Sequence, residues 1–175
     1  MDETEFWEIV DGARQEAEGD PEEQADLVVE RLLELDPEGV VDFARHFETR
    51  LARALRWDVW GAAEVMLGGA DEESFDAFRC WLIGQGRHVF EGALHQGPDR
   101  LAELVERFDP RTDGDAEDLG YAADEAYEQL TGVRLPDLGV AAPAAPQGEP
   151  LDLSDETALA ARLPRLWERF GRRDG

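Results

Sequence analysis

The chain has 175 residues, 42% hydrophobic and 9% aromatic, and its net charge is −25, with seventeen arginines and no lysine. A chain of this length buries roughly two-thirds of its unfolded surface in one core, so a single soluble domain with an appendage is expected. The charge argues against binding to phosphate backbones or anionic membranes. No apolar run approaches the ~20 residues a spanning helix needs, and the acidic opening MDETEFWE does not read as a secretory signal. One cysteine makes neither an internal disulfide nor a zinc site, so a reducing, cytoplasmic compartment is expected.

Asp2 or Thr4 starts a first helix whose stripe of Phe6, Trp7, Ile9, Val10, Ala13 and Ala17 ends at Gly19. In Asp20-Pro21-Glu22-Glu23 an N-cap precedes a proline at the first helical position and a glutamate three residues on, which opens a second helix over 21–35. Asp36-Pro37-Glu38 repeats that signal and predicts a third helix to about Arg56. Its apolar arc holds Val40, Phe43, Phe47 and Leu51; Arg45, Arg53 and Arg56 lie opposite, with Arg50 at the edge. Because residues 1–48 hold seventeen acids against three arginines, this stripe reads as paired or solvated. An anionic ligand is the competing reading. Trp57 and Trp60, one turn apart, begin a short fourth helix that stops at Gly68-Gly69, and they read as core ahead of a ligand platform.

The stretch 71–86, DEESFDAFRCWLIGQG, is the predicted hub. Asp71 caps it, and Phe75, Phe78 and Leu82 centre one face, flanked by Trp81 and by Arg79 and Ile83. Ala77, Cys80 and Gly84 leave a second face small enough for another helix to come close, so this helix is expected to be central and buried. Arg79 beside Phe75 and Ile83 must find a carboxylate or reach water. A structural ion pair with Asp71, Glu64 or Asp76 is expected ahead of a ligand contact.

A helix over 87–96 follows, then a restart at Gly97-Pro98-Asp99 with Leu101, Leu104, Val105 and Phe108 turned inward. His88, Glu91 and His95 share a face, but the two histidines stand two turns, ~10 Å, apart. They read as a surface cluster, with no metal and no other cofactor expected. Residues 109–118 read as a loop whose acids lack the calcium-loop spacing. A helix over about 116–130 follows, ending at Gly132, and then a Pro/Ala-rich linker. The terminal helix carries Leu159, Leu163, Leu166, Trp167 and Phe170, a kink at Pro164, and Arg162, Arg165, Arg169, Arg172 and Arg173. It is expected to dock on its own acidic domain through Trp167, a separate partner being the competing reading.

The run Trp60-Gly61-Ala62-Ala63, Gly68-Gly69, Phe78-Arg79-x-Trp81-Leu82-Ile83-x-Gln85-Gly86, Phe90-Glu91-x-Ala93-Leu94 and Pro98-Asp99-x-Leu101 resembles the bacterial domain of unknown function 4240 family. Glu5-Phe6-Trp7 and Ala126-Tyr127 before Gly132 resemble its ends, so the likeness covers residues 5–132. It implies a domain and supplies no catalytic residues. Cys80, where glycine is more usual, and the long tail after Gly132 depart from the pattern.

The expected fold is all-α, about seven helices in one compact domain around the central helix. A helical domain over 1–132, a linker over 133–153 and a basic amphipathic helix over 154–175 make up the chain. No Gly-x-Ser-x-Gly elbow, Walker loop, dinucleotide glycine fingerprint or His-Glu-x-x-His occurs. The favoured function is a non-enzymatic interaction or ligand-binding module for an unknown protein or small-molecule partner. The alternative is a hydrolase or other enzyme that uses clustered carboxylates with Arg79 or His88. Trp60, Glu64, Asp71, Arg79, Gln85, Arg87 and His88 form the candidate pocket or structural polar cluster.

Overall fold

The computed structural model describes residues 1–171, so Arg172 and Arg173 of the basic tail lie outside the described residues. Among these residues the chain is all-α and contains no strand. Three helices begin where Asp caps were predicted: α1 (Glu3–Glu16) at Asp2, α2 (Pro21–Leu33) at Asp20 and α3 (Pro37–Arg53) at Asp36. In each, the aspartate carboxylate accepts backbone N–H groups that the first helical turn leaves unbonded. The third helix stops three residues before the predicted Arg56, because the backbone leaves the helix to open α4 (Trp57–Leu67) from an extended Arg56.

The hub forms α5 (Glu72–Gly84), capped by Asp71 through the Ser74 N–H. Then come α6 (Arg87–Gln96), a 3₁₀ turn (Pro98–Arg100) and α7 (Leu101–Leu104). The predicted helix over 116–130 is two pieces, α8 (Glu117–Gly120) and α9 (Ala122–Thr131), separated at Tyr121, whose N–H turns back to the Asp118 carbonyl. α5 touches α1, α2, α3, α4, α6 and α8 and is the central helix of the domain. Phe75, Phe78, Leu82 and Ile83 are fully buried.

On its small face α8 comes close. The Ala116 N–H donates to the Ala77 carbonyl at 3.2 Å, and a Cβ at Gly120 would lie 3.0 Å from the Cys80 Sγ. Gln24, 4% exposed, donates from Nε2 to the carbonyls of Gly84 (2.8 Å) and Val10 (3.3 Å), joining α1, α2 and α5. Gly84 is the last residue of α5, so this amide satisfies one of the carbonyls a helix end leaves open.

The tail follows an extended stretch whose Gln147 exchanges backbone hydrogen bonds with Leu55 and Trp57 (2.9 and 3.0 Å). It continues as α10 (Glu156–Arg162), α11 (Pro164–Leu166) and one π-helical turn (Trp167–Gly171). Pro164 breaks the terminal helix and does not merely kink it: Leu163, the residue before it, is driven out of helical geometry to φ −129° and ψ 62°. Leu151, Leu159, Leu163 and Leu166 are buried, whereas Trp167 is only half-buried.

Candidate functional site

Six of the seven candidate residues divide between the two ends of α5, and Arg79 lies within it. At the N-terminal end, Trp60 and Glu64 staple the turn that leads into the helix. The Trp60 Nε1 donates to the Ala70 carbonyl at 2.9 Å, and a Glu64 carboxylate oxygen accepts from the Ala70 N–H at 2.6 Å. The Trp60 ring stacks on Trp57 (5.8 Å) and on Phe75 (4.7 Å). Asp71 is the cap, and the Ser74 N–H holds its carboxyl below the usual range.

At the C-terminal end, Gln85 accepts a long hydrogen bond from Arg14 (3.5 Å), while Arg87 and His88 are exposed. The Arg87 N–H donates to Asp11 Oδ1 at 3.3 Å, so a side chain of α1 caps α6. A helix of this length separates the two groups by about 20 Å. His88, Glu91 and His95 also do not converge: Glu91 is taken by Arg53 (3.0 and 3.2 Å) and by His95 (2.8 Å). Among the described residues no group of three His, Cys, Asp or Glu is placed to hold a metal.

The arginine stripe of α3 is likewise engaged. Arg50, 4% exposed, pairs with Glu3 at 3.0 Å and lies over the rings of Phe6 and Trp7 at 4.7 and 5.2 Å. Arg56 forks onto Asp58 and donates to the Leu94 carbonyl near the end of α6.

Arg79 stands apart because it borders a cavity. Its Nη1 donates to the Leu51 carbonyl (2.8 Å), one of the last of α3, its Nη2 pairs with Asp76, and its guanidinium lies 5.0 Å from the centre of the Phe75 ring. Around it opens a groove of about 590 Å³ walled by α3, α5 and the α8–α9 junction. Glu48, Glu72, Glu73, Asp76 and Glu117 line the groove, Cys80 contributes to its wall, and Tyr121 stands 60% exposed beside it. Burial pushes the Cys80 thiol up to about 12, so its thiolate is not available at neutral pH. A larger cleft of about 940 Å³ lies between the α1–α2 turn and residues 110–118. Several of its acids serve the loop's own turns: Asp113 accepts from the Asp109 N–H and Asp115 from the Glu117 N–H.

Lost hydration raises the carboxyls of Asp11 and Asp124 above 3.8 and that of Glu48 above 4.5, with Asp124 adding to the rise at Glu48. In the native state these groups hold protons that the unfolded chain has already released, so stability falls as pH climbs through that window. Asp71, Glu91, Asp109 and Asp152 are lowered by hydrogen bonds and contribute stability above the ordinary range that is lost below it. Repulsion within a chain of charge −25 acts in the same sense as the raised groups. The melting temperature is therefore expected to be higher near about pH 5 than near about pH 8 and to fall again in stronger acid, with Glu48→Gln flattening the upper slope. Calorimetry across that range checks it, and a melting temperature that climbs from pH 5 to 8 contradicts it.

Glu48 and Tyr121 are not among the candidate site residues; the helical period over 116–130 makes Tyr121 a polar-tipped filler, whereas it stands 60% exposed. Their only sequence signals were a charge at the end of the acid-rich stretch 1–48 and an aromatic after Gly120. No curated protein and no solved structure matches the chain. The model of the family described as protein of unknown function (DUF4240) matches residues 1–129, nearly the span carried by the tryptophan, glycine and hub residues, and the chain belongs to that family.

Proposed function

We propose that the chain is a non-enzymatic binding module of the bacterial cytoplasm whose Arg79 groove receives a positively charged group. That group is an ammonium or guanidinium carried by a protein or small-molecule partner. The observation behind this is the imbalance of the groove: five carboxylates line it against one guanidinium, which the Leu51 carbonyl and Asp76 already hold. The open ring of Tyr121 adds an aromatic face of the kind that attracts cations. A net charge of −25 steers cations toward the surface and repels nucleic acids and anionic membranes.

Isothermal titration with a hexa-arginine peptide tests this. Tyr121→Ala and Glu48→Gln are expected to weaken binding about three- to tenfold. Glu30→Gln, on the exposed side of α2, removes the same charge and should leave affinity nearly unchanged. Equal losses in Glu48→Gln and Glu30→Gln, with none in Tyr121→Ala, would mean that only the overall charge attracts the peptide.

Carboxylate-assisted hydrolysis is a second reading, and Glu48 favours it, because a carboxyl with raised proton affinity near Arg79 has the character of a general acid. Hydrolase activity lost in Glu48→Gln while the melting temperature does not fall would support that reading over simple binding.

A further inference from the structure

The tail lies against α4, the 3₁₀ turn and α7 through contacts of two kinds. Its leucines enter a depression that only a glycine leaves open: a Cβ on Gly61 would stand 2.7 Å from Leu151 Cδ2 and 3.1 Å from Leu163 Cδ1. Its polar groups are matched from the body. Asp99 accepts from the backbone N–H groups of Arg165 (3.2 Å) and Leu166 (2.9 Å). Arg165 pairs with Glu103 at 2.8 Å, and Arg169 donates to the Ala102 and Glu106 carbonyls at the end of α7 (2.7 and 2.8 Å).

Two further observations separate tail from body. Among the described residues the buried aromatic rings, from Phe6 to Phe90, all belong to the stretch that the family model covers, whereas the tail adds only leucines to the core. The tail's helical pieces are seven, three and five residues long, too short to hold together without a surface.

We propose that α4, the 3₁₀ turn and α7 form a docking face for an amphipathic segment that carries arginines beside its leucines, and that residues 151–171 are its built-in occupant, an exchangeable strap that covers the face in cis. The sequence such a face selects is written in its occupant: leucines spaced by four and three residues (159, 163, 166) with arginines at 165 and 169. Tethering holds the strap at a millimolar effective concentration, so a free competitor is excluded until the tether is cut. The inference is independent of the Arg79 groove.

The test uses the full chain with a protease site replacing residues 141–145, an exposed part of the linker, and a fluorescent peptide of residues 147–171. After cleavage at low salt the tail should stay bound and exchange with the peptide, and the cleaved protein should take up peptide at least about 100-fold more tightly than the uncleaved one. A peptide bearing Arg165→Glu and Arg169→Glu should bind about tenfold or more weakly, and about 1 M salt should weaken the native peptide. In the uncleaved chain, Gly61→Leu should expose the tail to proteolysis while far-ultraviolet circular dichroism of the body persists. A cleaved protein that stays folded yet never exchanges its tail would overturn the proposal, as would a body that unfolds when the tail leaves.

Discussion

Gly86→Ala is expected to lower the free energy of unfolding by about 2–4 kcal/mol. Gly86 joins α5 to α6 with φ 100° and ψ 173°, a backbone region that is essentially closed to residues with a side chain. A Cβ there would also lie 2.0 Å from Asp11 Oδ1, the oxygen that accepts from the Arg87 N–H. Strain and loss of the cap therefore coincide at one atom. The first turn of α6 has no side-chain cap of its own, so displacing Asp11 leaves its N–H groups to water. Gly19→Ala is the matched control: φ is 83°, but nothing lies within 4 Å of the added carbon, so only about 1 kcal/mol of backbone cost remains. Urea denaturation of both variants decides the matter, and equal shifts would show that the Asp11 contact contributes nothing.

The same junction shows where the sequence was informative. Helix starts were legible because capping is local: Asp20-Pro21 and Asp36-Pro37 place acceptor and proline within a few residues of the N–H groups they serve. The central helix was legible for a related reason, since its large and small faces follow from period alone, and α8 lies on the small one. Asp11 and Gln24 were not legible. Their partners lie 76 and 60 residues away, and nothing in the local pattern distinguishes either from an ordinary polar residue on a helix surface.

Arg50 illustrates the reverse case. Placed by periodicity at the edge of a charged stripe, it is buried because Phe6 and Trp7 of α1 come over it and Glu3 meets its guanidinium. The groove needed α3, α5 and the α8–α9 junction together, so Arg79 was visible as an awkward residue while the carboxylates and tyrosine around it were not.

Arg79→Ala is expected to cost about 2–4 kcal/mol, and Arg53→Ala at most about 1 kcal/mol. Both arginines carry a carboxylate partner, yet those partners do not account for the difference. Asp76 is 61% exposed and returns to water at little cost, while the bidentate pair of Arg53 with Glu91 sits at the surface, where such pairs contribute little. What sets Arg79 apart is a side chain only 12% exposed and a charged donor on the otherwise open Leu51 carbonyl, since both guanidiniums lie near a ring, Phe75 at 5.0 Å and Phe90 at 5.6 Å. An orphaned carbonyl costs about 1–3 kcal/mol, the ring contact adds about 0.5–1 kcal/mol, and the lost stem leaves apolar surface uncovered. Arg79→Met restores the stem without the charge and should recover only part of the loss. Because Phe75 carries the Trp60–Trp57 stack, tryptophan fluorescence should change in Arg79→Ala. Chemical denaturation of the three variants, read with unchanged slopes, measures the ranking. Equal and small losses for Arg79 and Arg53 would remove the structural role of Arg79 and leave its guanidinium free to meet an anionic ligand in the groove.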